Sequence, residues 1–240
     1  MIDLYGISSP NVLKVIIMLK ETGLAYDLHR IDIWAGEQFT DEFKALNPNS
    51  KVPVIVDHDG VGGQPVTLFE SGAILFYLAE KARAFLPTSP PDRYATMQWL
   101  MLQMGTIGPM FGQATHFRGS APAGQDYSLS RYTTEVHRLY DVLEVRLSQA
   151  SYLGGDDYTI ADMAAWPWAG MYHEQNGVQL SKLPAVKRWI DDVAARPAVV
   201  RAHQEWPTLV AYALGRRASA DPDKRDRLHG RGRYARGPKS

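Results

Sequence analysis

Two hydrophobic periodicities divide this chain, and they meet at the proline-rich stretch Leu86-Pro87-Thr88-Ser89-Pro90-Pro91. Before it, short apolar runs of strand length alternate with amphipathic segments of helix length. After it, apolar residues recur only at helical spacing. A chain divided in this way folds as an α/β unit followed by an all-α unit.

In the first unit, Ile2 to Tyr5 reads as a strand closed by Gly6. Ser8 and Ser9 are good cap types and Pro10 suits a first helical position, so a helix opens near Asn11. Val12, Leu13, Val15, Ile16, Ile17 and Leu19 make that helix apolar over a wide face, the pattern of a helix buried on one or two sides. Tyr26 to Ile33 reads as a second strand, parallel to the first because a helix intervenes, with a right-handed crossover. Phe39, Phe43 and Leu46 mark a short second helix that stops at Asn47-Pro48, since the residue before proline avoids helical geometry. Lys51 to Asp57 is a buried strand opening with proline, His58 to Pro65 a glycine-rich turn, and Val66 to Phe69 its antiparallel partner. Glu70-Ser71 then opens a third helix through Ala73 to Ala79. The order βαβαββα, with proline at the start of the third strand, is that of a thioredoxin-like domain, assigned to residues 1–83.

Residues 84–91 read as a linker and 92–208 as a helical bundle domain. One helix runs from Asp92 past Met104, where Gly105 and Gly108-Pro109 predict a kink or break. Leu129, Tyr132, Val136, Leu139, Tyr140, Leu143 and Leu147 define a second. Thr159-Ile160-Ala161-Asp162 resembles a capping box with Asp in place of Glu, opening a helix from Met163 to Tyr172. Pro184 starts another, with Val186, Trp189, Ile190 and Val193 on one face. Residues 215–240 hold clustered Arg, Asp, Gly and Lys without apolar periodicity, a composition expected to stay disordered.

Twenty-six basic side chains balance twenty-six acidic ones, so no whole-chain field argues for nucleic acid or an anionic membrane. The balance is uneven: from Arg216 onward nine Lys or Arg face three Asp, leaving the first 215 residues at −6 and the tail at +6. No segment reaches the roughly 18 apolar residues of a membrane span, and the start lacks a signal-peptide pattern, so a cytoplasmic protein is expected. Cysteine is absent. A disulfide, a thiolate metal site and a protein cysteine nucleophile are thereby excluded, and any sulfur chemistry must use a ligand's sulfur. The seven histidines include no pair at metal-ligand spacing within a helix, and dinucleotide, P-loop, nucleophile-elbow and zinc-protease motifs are missing. No metal is expected.

The topology brings the loop Gly6 to Pro10, the segment Lys51 to Pro53 and the pair Glu70-Ser71 to one edge of the sheet, beside two helix N-termini. Three motifs stand out along the chain: N-P-x-x-K-V-P at Asn47 to Pro53, L-F-E-S-x-A-I-L-x-Y-L at Leu68 to Leu78, and later Y-T-I-A-D at Tyr158 to Asp162. In these the chain resembles the glutathione transferase superfamily over residues 1–205. MIDLY with Ser9-Pro10-Asn11, the VDHDG loop, and Met110 to Gln113 before His116-Phe117 are similar to its Nu class, bacterial glutathione-dependent disulfide-bond oxidoreductases that work without a catalytic protein cysteine.

The resemblance implies glutathione, reduced or as its disulfide, as co-substrate, and it implies roles for nine residues. Val52, before a cis Pro53, pairs with the peptide-like middle of the ligand; a trans proline merely opening a strand is the alternative. Glu70 takes the α-amino group, and Ser71 with the amides of the helix start takes the α-carboxylate. Lys51 and Gln38 hold the glycyl carboxylate. Ser9 and Asn11 donate to the sulfur beside a helix N-terminus, where a thiolate is favoured. Ser9 stands where the family commonly has Thr; a cap alone is its other reading. Arg131 reaches a bound disulfide across a homodimer, unless it is only solvated. Tyr5 reads as core, the Met and Trp cluster around Trp99 and Met104 as packing, and His116 with Phe117 as the side of the second substrate. The expected activity is reduction of small disulfides, with conjugation to an electrophile, peroxide reduction, or non-catalytic glutathione binding as alternatives.

Overall fold

The computed structural model describes residues 1–236. The first unit forms a four-stranded sheet in the order β2-β1-β3-β4. β1 (Ile2–Gly6) runs parallel to β2 (Tyr26–Arg30), with Leu4 opposite Leu28, and antiparallel to β3 (Val54–Asp57), with Leu4 opposite Ile55. β4 (Val66–Phe69) closes the sheet antiparallel to β3. α1 (Pro10–Thr22) connects the parallel pair, α2 (Asp41–Leu46) follows β2, and α3 (Ser71–Ala82) follows β4. The βαβαββα order expected from periodicity is the observed one.

Boundaries moved where side chains compete with the sheet. β2 stops at Arg30, three residues before its apolar run ends. Asp32 Oδ1 accepts the amides of Trp34 and Ala35, each at 3.0 Å, and this local turn withdraws the chain from the ladder. The expected linker ends early for a similar reason. Pro90 and Pro91 are already the first turn of α4 (Pro90–Leu102), where proline's missing amide is harmless.

α4 passes into a five-residue π-type turn, Gln103–Ile107, and straight into α5 (Gly108–Gly119), so the predicted break is a bulge within one helical rod. A Cβ at Gly108 would lie 2.9 Å from Gln103 Nε2, so a larger residue there would have to displace that buried side chain. The bundle continues with α6 (Asp126–Gln149), α7 (Ile160–Ala169), α8 (Pro184–Ala194) and α9 (Pro197–Ala218). The capping box is complete: Thr159 Oγ1 receives the Ala161 amide at 3.3 Å and Asp162 Oδ2 receives the Thr159 amide at 3.0 Å. Fully buried Asp162 also accepts the amide of Leu153 and the indole N–H of Trp189 at 2.9 Å each, tying α7 to α8.

α1 joins the two units. Seven apolar residues, Val12, Leu13 and Val15 to Leu19, are buried, and the helix packs against α3 on one side and α7 and α9 on the other. The wide apolar face read from the sequence is therefore shared between α3 of the first unit and the helices of the second.

The expectation of a disordered tail over residues 215–240 fails for 215–236; residues 237–240 lie outside the described part. α9 runs through Arg217, and α10 (Pro222–His229) follows, capped by Asp221. Apolar periodicity is indeed missing, but the segment is anchored by guanidinium groups and rings. Arg216 pairs with buried Asp32, Arg217 lies over Trp34 at 5.5 Å, and Arg227 over Phe39 at 4.3 Å. His229 sits 5.9 Å from the Trp34 ring and 5.6 Å from that of His116, so α10 bridges the loop after β2 and the end of α5. The helical unit therefore extends past residue 208.

Candidate active site

A cleft of ≈ 380 Å³ opens where the starts of α1 and α3, the Lys51–Pro53 segment, the Gln103–Ile107 turn and α7 meet. That volume falls within the range of small-molecule sites.

Ser9 caps α1 in extended geometry (φ −142°, ψ 140°), its Oγ accepting the Asn11 amide at 3.3 Å. A hydroxyl that accepts in this way keeps its O–H to donate. Ser9 lies beside the cleft, at the helix start that leads into it, and Asn11 lines it. Trp168 Nε1, a donor only, reaches Asn11 Oδ1 at 3.0 Å. The Asn11 amide is thereby fixed with its oxygen toward α7, leaving NH₂ as its donor to the cleft.

Lys51, Val52 and Pro53 lie on the opposite wall, and the Val52–Pro53 bond is cis. Buried Asn47 holds this segment: its Nδ2 donates to Lys51 O at 2.7 Å and its Oδ1 accepts the Asn49 amide at 2.9 Å. The leading Asn of the N-P-x-x-K-V-P motif is thus a brace for the residues that follow it.

Glu70 joins β4 to α3 with φ 69°, ψ 112°, a left-handed backbone that a non-glycine residue adopts at a cost. This bend sets the exposed carboxylate on the rim, 3.5 Å from Asn49 Nδ2, and starts α3 with no side chain capping its first amides. Ser71, 3% exposed, begins that helix inside the cleft. Uncapped amides, a hydroxyl and a nearby carboxylate match a zwitterionic amino-acid end.

Two residues singled out from the sequence stand apart. Gln38 is buried in the short helix Glu37–Phe39, its Nε2 donating to Ile33 O at 3.3 Å, and it does not line the cleft. That bond to Ile33 holds its side chain inside the loop after β2. Arg131 lies exposed on α6, outside the cleft of its own chain. Tyr5 stacks on His29 at 4.9 Å within the sheet, away from the cleft lining. His116 lies one turn beyond Gln113, which lines the cleft, and packs edge-on against Phe117.

Sequence reading missed Lys14, Gln103 and Trp168, all of which line the cleft. Lys14 is 1% exposed, and burial lowers its ammonium pKa to about 7 against the opposing pull of Glu70. One signal was available: it is the lone charge inside the apolar run Val12 to Leu19. Among the described residues no cluster of three His, Asp or Glu is placed to hold a metal ion, and no helix is long and apolar enough to cross a membrane.

Comparison with known proteins bears on both halves. The family model described as glutathione S-transferase, N-terminal domain, matches residues 8–81, and that described as glutathione S-transferase, C-terminal domain, matches residues 107–197. The chain is 47% identical over 203 residues to the disulfide-bond oxidoreductase YfcG of Escherichia coli (strain K12), covering 84% of this chain and 94% of that protein. A glutathione transferase family member from Pseudomonas fluorescens pf-5, solved with two glutathione bound, superposes with a TM-score of 0.78 at 44% identity, over 84% of this chain and 91% of that one. A glutathione transferase from Pseudomonas putida, with one glutathione disulfide bound per subunit, gives 0.79 at 41% identity, over 84% and 90%. With sheet order, cleft and both halves in agreement, the chain belongs to the glutathione S-transferase family.

Proposed function

We propose that this protein is a cytoplasmic, homodimeric, glutathione-dependent reductase of small disulfides. The observation that carries the reading is a cleft whose polar groups follow the order of glutathione's own, in a chain that has no cysteine. Glu70 takes the α-amino group, Ser71 and the uncapped amides of α3 take the α-carboxylate, and Val52 faces the peptide middle. Lys51 takes the glycyl carboxylate, while Gln38, buried on its bond to Ile33, is left out of the set. Ser9 O–H and the Asn11 amide then serve the sulfur, at the N-terminus of α1, where a thiolate is favoured.

Bound glutathione supplies the chemistry: two thiols give up two electrons and two protons to become one disulfide, while the S–S bond of the small disulfide is cleaved to two thiols. The relatives named with two glutathione molecules or with the disulfide support a site able to hold both sulfurs. Dimerisation is supported by an apolar groove between β4, α3 and α4, lined by partly buried Leu68, Phe76 and Met97 and by half-exposed Met101. Arg131 of one protomer would serve the disulfide bound to its partner.

The test is turnover of hydroxyethyl disulfide with glutathione beside conjugation of a chloronitrobenzene. Faster reduction supports the reading; faster conjugation reverses the preference; activity toward neither leaves a glutathione-binding module. Sedimentation of the full chain as a monomer would remove both the dimer and the role of Arg131.

A further inference from the structure

Lys14 takes no part in the function just described, yet it stands at the floor of the cleft with a fully buried side chain. An ammonium has three donors and no acceptor. Here they meet Gln103 Oε1 at 2.8 Å, Ser71 Oγ at 3.2 Å and, weakly, Met104 Sδ at 3.7 Å. These bonds dictate the roles of their partners. Ser71 Oγ accepts from Lys14 and must send its own proton elsewhere; its nearest acceptor is again the thioether of Met104, at 3.6 Å. Gln103, wholly buried, accepts through Oε1, so its Nε2 is left buried beside Gly108 with no hydrogen-bond partner. One buried recess therefore gathers three poorly used donors, from Lys14, Ser71 and Gln103, and only a sulfur to receive them. Buried donors without acceptors are costly, and the group that relieves all three is an anion.

We propose that Lys14 is a proton-linked positioning residue, which orients Ser71 and Gln103 as donors and completes with them the recess that receives the ligand's α-carboxylate. The proposal rests on the glutathione reading above. The other charged groups lining the cleft are Glu70 at the start of α3 and Lys51 on the opposite wall; the Gln103–Ile107 turn, α5 and α7 contribute only uncharged residues to it. With its pKa lowered to about 7, Lys14 is partly neutral in the empty protein at pH 7.5. An arriving carboxylate favours the charged form and raises that pKa, so binding draws a proton from solution.

The experiment is calorimetric titration of the full chain with S-methylglutathione, whose capped sulfur does not ionise, at pH 7.5 in buffers of different ionisation enthalpy. The wild type is expected to take up roughly half a proton or more per ligand, with affinity falling as pH rises from 7 to 8.5. Lys14→Met should bind about tenfold to a hundredfold more weakly at pH 6.5 and lose that uptake. Lys14→Arg, permanently charged, should bind without uptake, and it decides the matter with the wild type if the methionine variant does not fold. Binding by the wild type without proton uptake, or uptake undiminished in Lys14→Met, overturns the role of Lys14 alone. No binding of S-methylglutathione by the wild type overturns the glutathione reading, and this inference with it.

Discussion

Trp168 donates its indole N–H to Asn11 Oδ1 across 3.0 Å, and this bond between residues 157 positions apart makes the helical unit responsible for the orientation of a side chain in the α/β unit. An asparagine amide can turn over; one with its oxygen engaged by a donor-only group cannot do so without losing the bond. Trp168→Phe keeps most of the ring's packing and removes the N–H. We expect turnover of hydroxyethyl disulfide to fall about twofold to tenfold, the equivalent of one neutral hydrogen bond, with glutathione affinity nearly unchanged. Unaltered turnover in that variant would show that Asn11 needs no such restraint.

Ser9→Ala and Asn11→Ala should each cost about tenfold to a hundredfold in rate, the range for a hydrogen bond to an ionised group. Ser9→Ala should also raise the pH at which bound glutathione ionises, followed through thiolate ultraviolet absorbance. A double variant with wild-type rate and titration would place the sulfur elsewhere, with Tyr5 and His116 the next residues to test.

Glu70 carries function and strain at one position, so two substitutions separate them. Glu70→Ala and Glu70→Gly both remove the carboxylate that would meet the ligand's ammonium, and both should weaken glutathione binding measurably but less than loss of a buried charge pair would, since this carboxylate is exposed on the rim. At φ 69° alanine retains the steric penalty that glycine escapes. Thermal unfolding should therefore rank Glu70→Gly above Glu70→Ala, the reverse of the usual order within elements.

In the absence of ligand, Lys14 ties stability to pH. Its folded pKa is lowered to about 7, below that of an unfolded lysine, so between these values the unfolded chain binds more protons and stability rises with pH. Denaturant unfolding between pH 7.5 and 9.5 should show an increase of up to about 1.4 kcal/mol per unit, absent in Lys14→Met. A flat wild-type profile would mean that Lys14 stays charged in the empty fold across this range, its pKa not lowered.

Arg216→Ala leaves the buried carboxylate of Asp32 without its partner. Because the guanidinium is 47% exposed, the loss of stability should be small, well under that of a fully buried pair. Limited proteolysis should then cut first between Ile31 and Thr40, the loop that Arg216, Arg217 and Arg227 cover. Cleavage confined to the segment after Arg217, with that loop intact, would show that the tail holds nothing down.

The sequence by itself determined what depends on neighbours along the chain. Strand and helix order followed from periodicity, the irregularity before Gly108-Pro109 and the Thr159–Asp162 box from turn and cap chemistry. The residues that line the two walls, Lys51 to Pro53 and Glu70-Ser71, were legible because compact motifs carry them. What tertiary structure decided depends on groups that meet only after folding. Lys14 reads as an ordinary helical lysine until α3 and the Gln103–Ile107 turn bury it, and Gln38 reads as a ligand residue until the loop after β2 turns it inward. The tail reads as disordered because composition measures apolar burial, whereas its anchors are charges and rings on Asp32, Trp34, Phe39 and His116, about 110 to 190 positions away in the chain. Periodicity records which face of an element is dry, but it does not record which charge, ring or amide waits on the other side, and those pairings set the electrostatics of the cleft.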